Sequence, residues 1–367
     1  MKTLKNYIWI LLLGILLLVF LGLAIGLSSM FRVSVDNKNI VGAIFIDNID
    51  DGGWNEAHYK GLKKACDMFG FKLEIETNIE ESRNAAEAAI DELVAKGCNI
   101  IFLTSDGYGM DLYPVMEKYR DVQFYTVSPN ADMPNATTYF CRDYEMRYLA
   151  GIIAGKMTNS NIIGYVAGMR KPQTTRGINA FALGVRSVNP DAIVKVKYMD
   201  AWTDSDVEYE SAKKLILDGG ADFITFHASL HTAIDAAEDF DTYSIGYGSY
   251  KEGYSDKNLT TVLYKWDVVY QYILEDISKG NFDAEPYYWL GLRKGAVDLA
   301  EYSQLVPGEV KLLVEEKKQE IKHAYDIFEG ELISNTGEIM CNKGESISDD
   351  ALLKRMDWFV EGVEIYE

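Results

Sequence analysis

Trp54, Asn55, Asp106, Ser128, Arg176, Trp202, His227, Gly248 and Lys265 are the positions of this chain best suited to hold a small flat solute. Trp54 and Trp202, two of six tryptophans, follow β-rich runs in the first and second halves of the sequence. An aromatic ring stacked on a flat base contributes about 1–3 kcal/mol, so a pair could grip both faces of one ligand. Each indole could equally cap a hydrophobic core beneath its own loop, and position alone leaves both readings open. Asn55 and neutral His227 each offer a donor and an acceptor, which suits the edge of a purine. A histidine at a strand end can also be a satisfied structural residue. Arg176, in TTRGINAF, meets a ligand or a carboxylate or else faces solvent. Lys265, in VLYKWD, reaches the same place or pairs with a neighbouring acid. Covalent chemistry has no comparable candidates. The chain contains no G-x-S-x-G, phosphate-binding loop, H-E-x-x-H or EF-hand loop. His227 and His231 could lie one turn apart, which permits a metal, but no third ligand stands at fixed spacing, so none is expected. Cys66, Cys98, Cys141 and Cys341 form no C-x-x-C pair and are expected to be plain buried thiols.

The elements that must position these residues alternate. Strands are expected at Ile40–Asp47, Lys72–Thr77, Ile100–Ser105, Gln123–Ser128, Ile162–Gly168, Ile193–Met199, Phe223–Ala228, Thr242–Gly248 and Leu259–Lys265. Continuous apolar runs such as IVGAIFI suit strands buried on both faces. Amphipathic helices are expected at Asn55–Phe69, Ser82–Lys96, Tyr144–Met157, Thr175–Val188, Asp204–Asp218 and Trp266–Lys279. Such alternation makes an α/β protein with parallel sheets, and two groups of strand–helix units make two doubly wound lobes. In such sheets ligands bind beyond the carboxyl ends of the strands. That rule selects the loop Asp47–Asn55, the segment from Asp106, Ser128, Trp202, His227 and the Tyr247–Gly248 strand end. Near the C-terminus an exposed charged helix is expected at Pro307–Lys322, and NTGE at 335–338 suits a hairpin turn.

Composition narrows the class. The 367 residues suit two domains, with 48% hydrophobic and 25% charged residues, an ordinary globular balance. A net charge of −20 argues against nucleic acid as a partner, because phosphates require a basic face. Between Lys5 and Arg32 no residue is charged, and the run Tyr7–Leu27 is almost purely apolar. At about 1.5 Å per residue this run crosses a hydrocarbon core of roughly 30 Å. Lys2 and Lys5 place the N-terminus in the cytoplasm. Residues 1–6 then form a cytoplasmic stub, 7–29 a transmembrane anchor or signal, and 30–39 a linker to an extracytoplasmic body. No cysteine precedes Cys66 to carry a lipid, so a retained anchor is expected in preference to a cleaved signal.

The sequence resembles the basic membrane protein (PnrA-like) family of ABC-transporter substrate-binding proteins from about Ile40 to Val363. The resemblance rests on DDGGWNEAHYKGLKKA at 50–65, YEMRYLAGIIAGKM at 144–157, TTRGINAFALGVRSVNPDA at 174–192, GGADFITFHA at 219–228, YDIFEGELISNTGE at 325–338 and MDWFVEGV at 356–363. It implies a type I periplasmic-binding fold, with two Rossmann-like lobes, three crossovers and a ligand between them. On that pattern residues 40–142 plus 259–285 form lobe 1, and 143–258 plus 286–367 form lobe 2. Characterised members of the family bind purine nucleosides, and the subgroup with GGW and a histidine near His227 suits purine bases. By similarity, Trp54 and Trp202 match the aromatic sandwich, Asn55 the asparagine that bonds the base, and Lys265 a cleft lysine. Ser128 stands where many relatives carry an aspartate. Relatives usually read G-[VY]-D-S-D where this chain has Gly246-Tyr247-Gly248-Ser249-Tyr250, so the aspartate that contacts ribose is replaced by Gly248. The departure shifts the expectation from a nucleoside towards a free base or another flat ligand. The resemblance implies a monomeric binding protein with an ABC permease as partner, no cofactor and no enzymatic step. A membrane-tethered sensor acting through a membrane partner is the rival reading.

Overall fold

The computed structural model describes residues 39–127, 129, 133–282 and 287–367. The expected anchor at 7–29 and Ser128 lie outside them. The first strands are β1 (Ile40–Ile44), β2 (Lys72–Glu76), β3 (Ile100–Leu103), β4 (Gln123–Thr126) and β5 (Ala136–Cys141). They are followed by β6 (Ile162–Ala167), β7 (Ile193–Tyr198), β8 (Phe223–His227), β9 (Tyr243–Gly248) and β10 (Asn258–Tyr264). The chain closes with β11 (Tyr287–Leu290), β12 (Val297–Leu299), the short pair β13 (Leu332–Ile333) and β14 (Ile339–Cys341), and β15 (Val363–Ile365).

Two sheets result. The first runs β11-β5-β4-β3-β1-β2 and all its pairings are parallel. The second runs β12-β10-β9-β8-β6-β7-β15, with β12 antiparallel to β10 at one edge. β3 and β8 are buried along their whole length, as both faces of each sheet carry helices. The expected α/β architecture of two parallel-sheet lobes is therefore present. Each helix starts and stops for local reasons. The Asp51 carboxylate accepts the backbone N–H groups of Gly53, Asn55 and Glu56 at the start of the helix Trp54–Phe69. Gly70, in the left-handed conformation at φ 72°, ends that helix. Asp204 caps Ser205–Leu217 through Val207 N–H (3.0 Å), and Pro172 opens Pro172–Val188. The charged C-terminal helix is Gly308–His323, and NTGE forms the turn between β13 and β14.

The lobe boundaries need correction. β10 pairs with β9 in the second sheet, so 259–264 belongs to lobe 2, not lobe 1. β11 pairs with β5 in the first sheet, so 287–290 belongs to lobe 1, not lobe 2. The chain crosses between lobes at Arg142–Asp143, at Lys265 and at Gly291–Ala296, three crossings in all. A strand's apolar pattern declares that it is buried but not which sheet supplies its neighbour, and that is where the boundary slipped by one strand each time. All four cysteines are buried and free. Among the described residues no helix is long and apolar enough to cross a membrane.

Candidate functional site

The strands end one to three residues earlier than the apolar runs that encode most of them, and the residues left over bend into a cavity between the lobes. From the first lobe come Ile46 after β1, Trp54, Ser105 and Asp106 after β3, Val127 after β4, and Phe140 on β5. From the second come Gln173, Trp202 after β7, His227, Ala228 and Ser229 at the end of β8, and Tyr247 on β9. The space between them is about 480 Å³, counting the part that is open to solvent. A second space of about 290 Å³ adjoins it, sharing Trp54, Ala228, Ser229 and Tyr247 and adding Gly248, Ser249 and His231.

The walls are aromatic and held from behind. Trp54 Nε1–H donates to the Thr104 carbonyl (2.8 Å), and the ring meets Trp266 edge-on at 5.3 Å and Tyr264 at 5.9 Å. His58 stacks on Trp266 at 3.8 Å and completes this cluster; burial holds its imidazole neutral. Opposite, Trp202 lies 6.1 Å from His227. His227 Nε2 shares a 2.8 Å hydrogen bond with the Tyr247 hydroxyl, which also meets that of Tyr264. Ser105 is tied to Glu81. Asp106 is the acidic group in the cavity, and burial raises its pKa while Lys171 opposes the rise.

The lobes touch across the cavity mouth. Asp106 of lobe 1 faces Lys171 of lobe 2 at 3.4 Å. Ser249 Oγ donates to the Gly52 carbonyl (3.3 Å). A Cβ on Gly53 would lie 2.6 Å from the Ser229 carbonyl, so only glycine allows this approach. Lys171 is nearly half exposed although Asp106 is largely buried, and an ion pair that solvent reaches on one side contributes about 0–1 kcal/mol. Lys171→Ala therefore weakens solute binding by about fivefold at most, and added salt narrows the gap between variant and wild type. Calorimetry at two ionic strengths checks this. A larger, salt-insensitive loss would assign Lys171 a direct ligand contact instead.

The structure brings some of the expected residues together and places others elsewhere. Trp54, Asp106, Trp202 and His227 come together in the cavity, and Gly248 lines the adjoining space. Asn55 does not line it: the residue is buried, its Nδ2–H donates to Asp51 (2.8 Å), and its Oδ1 has no partner among the described residues. The helix start claims this amide. Arg176 is also elsewhere. It is fully buried, donates from Nη1 to the Leu352 carbonyl (2.7 Å) and stands 4.0 Å from Asp143, and it is not among the residues that line the cavity. Lys265 is exposed at a lobe crossing, where its backbone N–H donates to the Ala296 carbonyl (2.9 Å). His231 Nε2–H donates to the Ser249 carbonyl (3.1 Å), and no group of metal-ligating side chains occurs among the described residues. Phe140, Gln173 and Ser229 are cavity residues the sequence reading missed. The run ATTYFC at 136–141 was the available signal for Phe140, since it is as β-prone as the strands that were read.

A family model described as "ABC transporter substrate-binding protein PnrA-like" matches residues 38–331. A purine-binding protein of Brucella abortus is 33% identical over 333 residues, covering 90% of this chain and 94% of that one. TsgA13 of Haloferax volcanii, whose name refers to glucose binding in an ABC transporter, is 32% identical and covers 88% of this chain and 79% of its own. Among solved structures, a transcriptional activator of the comK gene from Bacillus halodurans aligns with TM-score 0.68 at 22% identity, over 78% of this chain and 98% of that one. An ABC transporter solute-binding protein from Aeropyrum pernix aligns with TM-score 0.67 at 21% identity, over 78% and 91%. These last two likenesses concern the fold alone.

Proposed function

The chain belongs to the PnrA-like family of ABC transporter substrate-binding proteins, and from that premise we propose that its cavity takes a purine base and delivers it to a permease. The family binds solutes outside the cytoplasm and is not enzymatic. The observation that carries the finer reading is the pair of indoles, Trp54 and Trp202, facing one cavity from opposite lobes with Phe140 and Tyr247 beside them. Such walls suit a flat π-system better than a sugar, whose hydroxyls need many polar partners. Asp106 is placed to accept from a ring N–H or an exocyclic amine. The Brucella relative, named for purine binding, supports the same choice. Contacts from both lobes let the solute stabilise the closed arrangement, which is the form a permease reads.

Thermal unfolding of the full-length protein with adenine, adenosine and glucose tests this. At 100 times its dissociation constant a true ligand adds about 2.7 kcal/mol of stability. Adenine is expected to give the largest shift. A shift with glucose and none with either purine would replace this reading with that suggested by the name of the Haloferax relative.

The apolar run at 7–29 completes the proposal as a retained anchor, because it has spanning length and no cysteine stands near it to take a lipid. Sequencing the N-terminus of membrane-fraction protein is expected to begin within the first residues. A start between about 28 and 36 would mean cleavage of a signal and release.

A further inference from the structure

Behind the second-lobe wall of the cavity lies a buried charge cluster that solute contact does not explain. Arg147, on the helix Tyr144–Met157, is fully buried. Its Nη2 donates to the Phe226 carbonyl (2.7 Å) and its Nη1 to Thr225 Oγ1 (3.3 Å), the two residues that precede His227 on β8. The same guanidinium lies 3.8 Å from the centre of the Tyr247 ring on β9 and 5.3 Å from that of Tyr165. Tyr247 and His227 both line the cavity and are bonded to each other. One side chain outside the cavity thus holds the backbone that carries His227 and the face of the ring beside it.

The charges around His227 are unequal. Arg176, on Pro172–Val188, brings a second buried guanidinium, and Asp143 brings a carboxylate 4.0 Å from it. Tyr247 faces the imidazole from β9, Trp202 from the loop after β7, and Gly177 lies against Nδ1 with the Tyr165 hydroxyl nearby. Asp143's carboxylate oxygens, the Nε atoms of Arg147 and Arg176, and His227 Nδ1 have no hydrogen-bond partner among the described residues. Two cations against one anion leave positive charge beside the imidazole. Burial first, then Arg147, then Arg176 hold the His227 pKa well below its usual 6.5.

We propose that Arg147 is a positioning residue for solute binding, holding in place the Tyr247 ring and the β8 backbone that carries His227 and setting a fixed positive charge beside that imidazole. The inference takes its probe, adenine, from the function proposed above. Its reasoning is one of linkage. His227 is already buried at the cavity wall, so a solute seated there would leave a protonated imidazole without water, and protonation and binding oppose each other. With the His227 pKa low, falling pH does not reach it, and His227 takes no part in any pH dependence of binding. Without the Arg147 charge, burial and Arg176 still hold the pKa down but less far, so binding becomes more sensitive to acid than in wild type.

The test uses the full-length protein in detergent as wild type, Arg147→Gln and Arg147→Lys. Histidine ring resonances of the ligand-free protein are followed between about pH 5 and 8, with His227 assigned by its loss in His227→Gln. Adenine binding is measured by calorimetry at about pH 5.5 and 7.5. In wild type the His227 signal does not move, and any loss of adenine affinity at the lower pH is the share of Asp106, whose pKa burial raises. In Arg147→Gln titration of the His227 signal begins at higher pH than in wild type, and the loss of affinity at the lower pH exceeds the wild-type loss by about twofold or more. Arg147→Lys keeps His227 uncharged but binds more weakly at both, because an ammonium cannot lie flat on Tyr247 and reach Phe226 as well. Identical histidine titration in wild type and Arg147→Gln overturns the proposal, as does wild-type affinity of Arg147→Gln at both pH values. If Arg147→Gln does not fold, Arg147→Lys decides: unchanged adenine affinity there overturns the positioning role. If wild type ignores adenine, the purine reading fails, and the histidine titration alone judges Arg147.

Discussion

Trp202→Ala loses about 1–3 kcal/mol of adenine binding, roughly a five- to hundredfold rise in Kd, with little change in thermal stability. Trp54→Ala loses a similar amount of binding but also lowers the unfolding temperature. The two indoles differ in what stands behind them. Trp54 is pinned by its hydrogen bond to Thr104 and packs on His58, Trp266, Tyr264 and Phe140. Truncating it opens a void in an aromatic cluster that reaches into the first-lobe core, and removal of a large core aromatic costs about 3–5 kcal/mol. Its partial exposure at the cavity makes the lower end of that range the better guide. Trp202 is half-buried, and its one aromatic neighbour among the described residues within stacking range is His227. Of the two readings of tryptophan that the sequence left open, Trp54 thus has the surroundings for both, a cavity face and a core behind it, while Trp202 has little core behind it. Calorimetric titration with adenine, alongside thermal unfolding of each variant, separates the effects. A folded Trp202→Ala protein with wild-type affinity would remove the sandwich from the proposal.

The sheets were legible because β-branched and aromatic runs report burial on two faces, and each expected strand is present. The helix registers followed from amphipathic spacing for the same reason. What stayed hidden was pairing. Nothing in Asn258–Tyr264 says that its neighbour is β9, and nothing in Tyr287–Leu290 says that it returns to β5. The short strands β12 and β15 carry too few residues to show a period.

The site was legible to the extent that strand ends could be ranked by side-chain chemistry. Trp54, Asp106, Trp202 and His227 were found that way. Asn55 and Arg176 were chosen on the same grounds and went elsewhere, because a helix start and a C-terminal carbonyl compete for polar groups as effectively as a solute does. A one-dimensional reading sees the donor or acceptor but not which partner is nearer. Arg147 shows the converse. In YEMRYLAG it looks like a charged residue on a helix face, and only the packing of Tyr144–Met157 under β8 and β9 turns it towards the cavity wall.

Wild-type protein is expected to bind adenine at least as tightly as adenosine. On the free-base reading, a sugar attached to the base is taken to extend into the adjoining space beside Gly248, Ser249 and His231, and by the family resemblance Gly248 stands where an aspartate would meet ribose. A hydrogen bond to a charged group contributes about 1.5–3 kcal/mol, so its absence costs a nucleoside roughly ten- to a hundredfold while a free base loses little. Restoring the carboxylate is not a clean experiment by itself. Gly248 has φ +86°, and although open space surrounds the position where a Cβ would stand, any side chain there is strained by about 1–2 kcal/mol. Asn and Asp tolerate such a backbone better than other residues. The informative comparison is therefore Gly248→Asp against Gly248→Asn, which carry nearly the same shape and strain but differ in charge. Both should weaken adenine equally. Only Gly248→Asp should recover adenosine, shifting its affinity relative to adenine by about tenfold or more over Gly248→Asn. Tighter binding of adenosine than adenine by wild type would mean that the sugar finds other partners in this space, and the free-base reading would give way to a nucleoside.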